Sequence, residues 1–132
     1  MIGLDTNVIV RYLAQDDEKQ SRIATQLIEK KLSVEEPGFV SLIVLCEVCW
    51  VLKRSYKIDK ASLVKIVDAL LTTQQLHIED VEVAWKALRA YEESRADFSD
   101  AVIVLNNLKY GCAETVTFDS KASKVRGTKL LE

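Results

Sequence analysis

Four acidic residues occupy positions where a carboxylate can do more than face solvent: Asp5, Glu47, Asp100 and Asp119. Asp5 follows Ile2-Gly3-Leu4, whose apolar residues alternate as on a short strand, and precedes polar Thr6-Asn7 ahead of a helical run from Val8. An acid so placed stands at the carboxyl end of the first strand, and in open parallel sheets ligands bind in the crevice outside those ends. Asp119 repeats the arrangement after Ala113 to Phe118, which reads as a strand. Glu47 is the only charged residue between Leu42 and Lys53 in a run with no polar face, so the run is expected to be buried. A buried carboxylate must protonate, pair with a base or bind a cation, because leaving it unpaired costs several kcal/mol. Asp100 directly precedes Ala101-Val102-Ile103-Val104-Leu105 and lies three residues after Asp97, so the two share a face if both are helical. Helix capping competes as an explanation for Asp5 and Asp97, since Asp, Thr and Asn all accept bonds from the orphan N–H groups of a first turn. It accounts less well for Asp100, which enters on the core side.

Gathered together, four carboxylates repel one another, and some would hold protons near neutral pH unless cations compensate them. Oxygen-rich acidic sites favour Mg2+ or Mn2+ over zinc. A pair of such ions can activate water and stabilise the leaving oxygen in phosphodiester hydrolysis. A single histidine, His77, offers no metal-binding pair, and as its neighbours Leu76 and Ile78 are apolar it reads as structural on the opposite strand face. A phosphatase using Asp5 as nucleophile would want a second Asp two residues on, where Asn7 stands.

The elements that must position these acids alternate along the chain. A short helix covers Val8 to Leu13, and Asp16-Asp17-Glu18 supplies acids for the start of a second helix ending near Lys31. Glu36-Pro37-Gly38 is a turn, Phe39-Val40 a strand, and Ser41 a cap for the helix Leu42 to Lys53. Further helices follow Asp59 and Asp80, the latter with Val81, Ala84, Trp85, Leu88 and Tyr91 on one face; a strand lies between them at Leu76 to Ile78. Gly111 suits a cap after Tyr110, and Thr128 to Leu131 forms a last short strand. Such alternation predicts an α/β fold in which a parallel sheet is covered by helices on both faces.

With 132 residues, 48% of them hydrophobic and 29% charged, the chain is expected to form one domain over residues 1–132. The first strand begins almost at Met1, leaving no room for a signal peptide, and no apolar run approaches the ~20 residues of a membrane span. A soluble, cytoplasmic protein without membrane partners is expected. Three cysteines then read as reduced thiols, and the Cys46/Cys49 pair, lying inside an apolar helix, as core packing rather than a zinc or redox site. The net charge of −2 counts mildly against a nucleic-acid partner, and the clusters around Lys53-Arg54 and Lys121 to Lys129 read as solvated surface.

The ordered set Leu4-Asp5-Thr6-Asn7, Glu47 in an apolar helix after a Ser, Asp97-Phe98-Ser99-Asp100-Ala101, and Val116-Thr117-Phe118-Asp119 resembles the PIN-domain ribonucleases, specifically toxins of the VapC type. The resemblance implies a PIN-like three-layer sandwich with a central, mostly parallel sheet of four to five short strands. It makes Asp5 and Asp100 principal metal ligands, Glu47 the middle acid and Asp119 a fourth, with Thr6 orienting ligand or water. Asn7 and Asp97 become supporting residues. It further implies Mg2+- or Mn2+-dependent endonucleolytic cleavage of RNA, such as tRNA or rRNA, a VapB-like antitoxin as inhibitor, and a homodimer. A structure-specific DNA nuclease and a non-catalytic interaction module on the same fold remain the alternatives.

Overall fold

Strands and helices alternate in a computed structural model that describes all residues from Met1 to Glu132. The order is β1 (Ile2–Gly3), α1 (Thr6–Ala14), α2 (Glu18–Gln26), β2 (Gly38–Val40), α3 (Leu42–Arg54), α4 (Lys60–Leu71), β3 (Leu76–Ile78), α5 (Val81–Glu93), α6 (Phe98–Lys109), β4 (Thr115–Thr117) and β5 (Thr128–Leu130). The second helix runs on to Lys31 as expected, but its last stretch, Leu27–Lys31, is a π-helical turn. A 3-10 turn at Ala122–Lys124 precedes β5. No helix is long and apolar enough to cross a membrane. By internal contacts the chain divides into two compact units, Met1–Glu79 and Asp80–Glu132.

In the first unit, β1, β2 and β3 form a parallel sheet in that order, with Ile2 beside Gly38 and Gly38 beside Leu76. Parallel neighbours need long crossovers, and α1–α2 and then α3–α4 supply them. Val40, Leu76 and Ile78 are buried, while His77 faces the other way, exposed and stacked on Phe39 at 5.8 Å between ring centroids. Gly38 is required by close approach, since a Cβ there would stand 2.7 Å from Leu32 Cδ1 and 2.9 Å from Leu4 Cδ1.

The unit's helices start where small polar side chains can satisfy first-turn N–H groups. Asp17 accepts from the Gln20 N–H at 2.8 Å, Ser41 from Val44 at 3.1 Å and Asp59 from Ser62 at 2.8 Å. The apolar run of α3 departs from its expected burial. Leu42, Leu45, Val48, Cys49 and Leu52 face the core, whereas Ile43 is 74% exposed, Trp50 58% exposed, and Glu47 between them is exposed too. These three recur at helical spacing on one face, along which the Arg54 guanidinium lies 5.3 Å from the Trp50 ring centre. A helix apolar on every side carries no pattern that says which side is covered, and exposed apolar residues are common on proteins. Burial pushes the Cys46 thiol up to about 11 and raises Cys49 further, so neither is a thiolate at neutral pH. The core-packing reading holds for Cys49, which is buried, while Cys46 is half-buried.

In the second unit, α5 packs on α6, with Tyr91 and Phe98 meeting edge to face at 6.1 Å. Ala96, Val104 and Val125 form a buried cluster behind them. Asp80 caps α5 by accepting from the Val83 N–H at 3.1 Å, and the Lys109 ammonium donates to its other oxygen. Both contacts, the lysine's first, hold the Asp80 carboxyl below its ordinary value. The buried face of α5 is Val83, Ala84, Ala87, Leu88 and Tyr91; Val81 is exposed and Trp85 half-buried, with Arg89 over its ring. α6 ends at Tyr110, and Gly111 follows with φ +90, where only glycine is unstrained. β4 and β5 pair in parallel, Thr115 beside Thr128. Every strand pairing is thus parallel, within a set of three and within a set of two, in an α/β fold as expected.

Leu45 is fully buried, so Leu45→Ala should cost about 2–5 kcal/mol in urea unfolding through lost contacts and a cavity. Ile43→Ala, on the open face of the same helix, should stay within about 0.5 kcal/mol. Comparable losses from both would reverse the assignment of the α3 faces.

Candidate active site

The junction between β1 and α1 builds the first part of the site. Leu4 is buried and fixes the end of the strand, and Asp5 keeps extended backbone, φ −84 and ψ 162, as the cap of α1. Its Oδ1 accepts from the Thr6 N–H at 2.8 Å. Capping therefore accounts for one carboxylate oxygen of Asp5. The Thr6 hydroxyl donates to Glu47 Oε1 at 2.9 Å, joining the first turn of α1 to the middle of α3 across the sequence. Asp5, Thr6, Asn7 and Glu47 all line one open recess of about 610 Å3.

Glu47 is exposed, which corrects the expectation of a buried charge that would have to find a cation. Water reaches it because its face of α3 is uncovered. Its place in the site follows instead from sharing the recess with Asp5 and from the Thr6 bond that orients it.

The recess is also lined by Arg11, Asp16 and Tyr56, which the sequence did not single out as site residues. Arg11 on α1 donates through Nε to Gln20 Oε1 at 2.8 Å, and through Nη1 to Asp16 Oδ1 and to the Tyr56 hydroxyl oxygen, both at 3.3 Å. The Tyr56 hydroxyl in turn donates to Asp16 Oδ2 at 2.6 Å. The Tyr56 bond first, then a backbone hydrogen bond and the Arg11 charge, hold the Asp16 carboxyl below its ordinary value, and the Tyr56 bond raises the Tyr56 phenol in turn. One signal was available. In Asp16-Asp17 only one acid is needed as a cap, and Asp17 takes that role.

The other acids belong to the second unit. Asp97 caps α6, and Asp100 is its partner in a capping box, with Asp100 Oδ2 accepting from the Asp97 N–H at 3.0 Å. Asp100 is half-buried and Asp97 exposed. Capping thus explains Asp100 better than its place before an apolar run suggested, because the third helical position is where a carboxylate reaches back to the cap. β4 stops at Thr117, so Asp119 stands two residues past the strand rather than directly after it. Its Oδ1 accepts from the N–H groups of Lys121 at 2.8 Å and Ala122 at 3.4 Å, which opens the 3-10 turn.

Within neither unit are three acidic, histidine or cysteine side chains grouped to hold a metal ion. In the first unit, Asp5 and Glu47 do share the recess, with the Thr6 hydroxyl beside them. That all-oxygen set suits Mg2+ or Mn2+, hard ions that keep several waters and are commonly held by one or two carboxylates together with substrate phosphates.

Residues 2–127 match the PIN domain, and the chain belongs to that family. The match runs through both units. The chain is also similar to a VapC ribonuclease of Aquifex aeolicus (strain VF5), with 25% identity over 122 residues, covering 92% of this chain and 90% of that one.

The lowered Asp16 value makes a pH prediction. Its carboxylate form is favoured by folding, so the stability it contributes is fully present above its unfolded value near 3.8 and is lost as pH falls through the lower folded value. Tyr56→Phe removes the largest cause. Acid unfolding curves of that variant should separate from wild type above the unfolded value near 3.8 and converge on it as pH falls through the lowered folded value. A constant offset at every pH would show that the Tyr56 hydroxyl does not act through Asp16.

Proposed function

We propose that this PIN-domain chain is a Mg2+- or Mn2+-dependent endoribonuclease, the toxin of a VapBC toxin–antitoxin pair, hydrolysing phosphodiester bonds in tRNA or rRNA. The observation that carries the reading is the joining of Asp5, Thr6 and Glu47 in one recess of a PIN-family chain similar to a VapC ribonuclease.

In this reading residues 1–132 are one PIN domain, and Asp5 and Glu47 would hold the divalent ion, with Asp100 and Asp119 as the family's remaining acids. A bound ion supplies activation of water and charge compensation at the leaving oxygen. The chain's own residues do the positioning. The Thr6 hydroxyl fixes the Glu47 carboxylate, the Thr6 N–H fixes Asp5, and Asn7 lines the same recess. Asp97 orients Asp100 through the capping box. The protein works in the cytoplasm as a homodimer, and a VapB-like antitoxin inhibits it by covering the acids.

The test is incubation of purified protein with total tRNA and rRNA in Mg2+, Mn2+ or EDTA. Discrete products should form with either metal and vanish in EDTA. Asp5→Asn and Asp100→Asn should each lower cleavage by about a hundredfold or more, the scale on which loss of transition-state charge stabilisation is felt, with circular dichroism unchanged. Undiminished cleavage by either variant would remove that residue from the site. Cleavage confined to flapped or single-stranded DNA would replace the ribonuclease reading with a DNA nuclease.

A further inference from the structure

The recess that holds Asp5 and Glu47 has one cation on its lining, Arg11. A polyanionic strand entering between two carboxylates meets repulsion, so the state of that cation matters. Arg11 stands on α1 and is held from two other parts of the chain: Asp16 just before α2 with Gln20 in its first turn, and Tyr56 after α3. A guanidinium has five N–H donors. Nε commits its one to Gln20, and Nη1 commits its two to Asp16 and Tyr56. The two hydrogens of Nη2 remain. Since the Tyr56 hydroxyl spends its own proton on Asp16 Oδ2, every other member of the network is turned toward holding the arginine plane.

A guanidinium held in one orientation with the two hydrogens of Nη2 still to donate can meet phosphate oxygens at less entropic cost than a flexible ammonium, because the ordering is done before binding. The side chain is about one-third exposed, enough to be reached from solvent. We infer that Arg11 binds a backbone phosphate of the nucleic-acid strand beside the scissile bond through Nη2, and that Asp16 and Tyr56 are positioning residues that hold its plane. This assignment rests on the ribonuclease reading for its substrate.

The competing explanation is that the network only ties α1 to its neighbours. Equilibrium binding separates the two. A fluorescein-labelled single-stranded RNA is titrated with Asp5→Asn protein, which leaves the strand intact, at several salt concentrations. On that background Arg11→Gln should raise Kd about tenfold and reduce the slope of log Kd against log salt by about one, the mark of a lost phosphate contact. Arg11→Lys keeps the charge, so it should retain the slope while still weakening binding. Tyr56→Phe should weaken binding severalfold with the slope unchanged.

A merely structural network would lower the melting temperature of these variants and leave Kd and slope as they were, which overturns the inference. So would failure of the Asp5→Asn protein to bind RNA at all. If the wild-type chain cuts no RNA yet binding still depends on Arg11, the ribonuclease reading falls and the phosphate contact stands. If it cuts RNA with Arg11→Gln as well as without, at unchanged KM, the contact falls and the ribonuclease stands.

Discussion

One bond ties the chemistry of the first unit to its fold: the Thr6 hydroxyl donating to Glu47 Oε1. It crosses from the first turn of α1 to the middle of α3, and it can form only if both helices start in register. The start of α1 is set by Asp5, whose Oδ1 takes the Thr6 N–H, and by Leu4, buried just before it. The start of α3 is set by Ser41 over Val44, and by Glu79, whose carboxylate accepts from the Leu42 N–H at 2.9 Å. A slip of one residue at either cap would turn Glu47 by about 100° around its helix and out of the recess. The site's geometry is therefore a consequence of capping, which is local, acting on two helices brought together by a sheet, which is not.

That division also explains what could be read from the sequence. Caps are local, so Asp5, Ser41, Asp59 and Asp80 were legible, as were the helices they start and the Gly111 stop after Tyr110. Parallel pairing followed from the alternation of elements. The exposure of Ile43, Glu47 and Trp50 was not legible, because α3 is apolar on every side until its neighbours are known. The π-helical turn at Leu27–Lys31 left no mark in the periodicity of α2. The Arg11–Asp16–Tyr56 network was hidden for the same reason as α3's open face: its members lie 5 and 45 positions from Arg11, and only packing makes them neighbours.

Capping and chemistry look like rivals for an acid at a helix start, yet a carboxylate has two oxygens and can serve both. Asp5 gives Oδ1 to the helix, Asp119 gives Oδ1 to its turn, and Asp100 gives Oδ2 to the Asp97 N–H. In each case the backbone bond removes rotational freedom that a ligand would otherwise have to remove on binding. A capping acid is for this reason a pre-oriented ligand. The presence of a cap is then no argument against a functional role, and the strand-end position that makes an Asp a cap is also what places it at the sheet's ligand-binding edge.

Within the recess the charges are sorted rather than neutralised. Arg11 is close enough to line the same space as Asp5 and Glu47, but its ion pair is with Asp16 at 3.3 Å. Asp5 and Glu47 receive hydrogen bonds only from neutral groups, the Thr6 N–H and the Thr6 hydroxyl. Had Arg11 paired with Glu47, the recess would carry one internal salt bridge and little attraction for a divalent ion. Asp16, held ionised by the Tyr56 hydroxyl, keeps the arginine on its own side. The acid pair is left to attract a cation from solution, and the fixed guanidinium is left to meet an anion. A phosphodiester accompanied by a divalent ion presents both partners at once, and it is the ligand class whose charges match that separation.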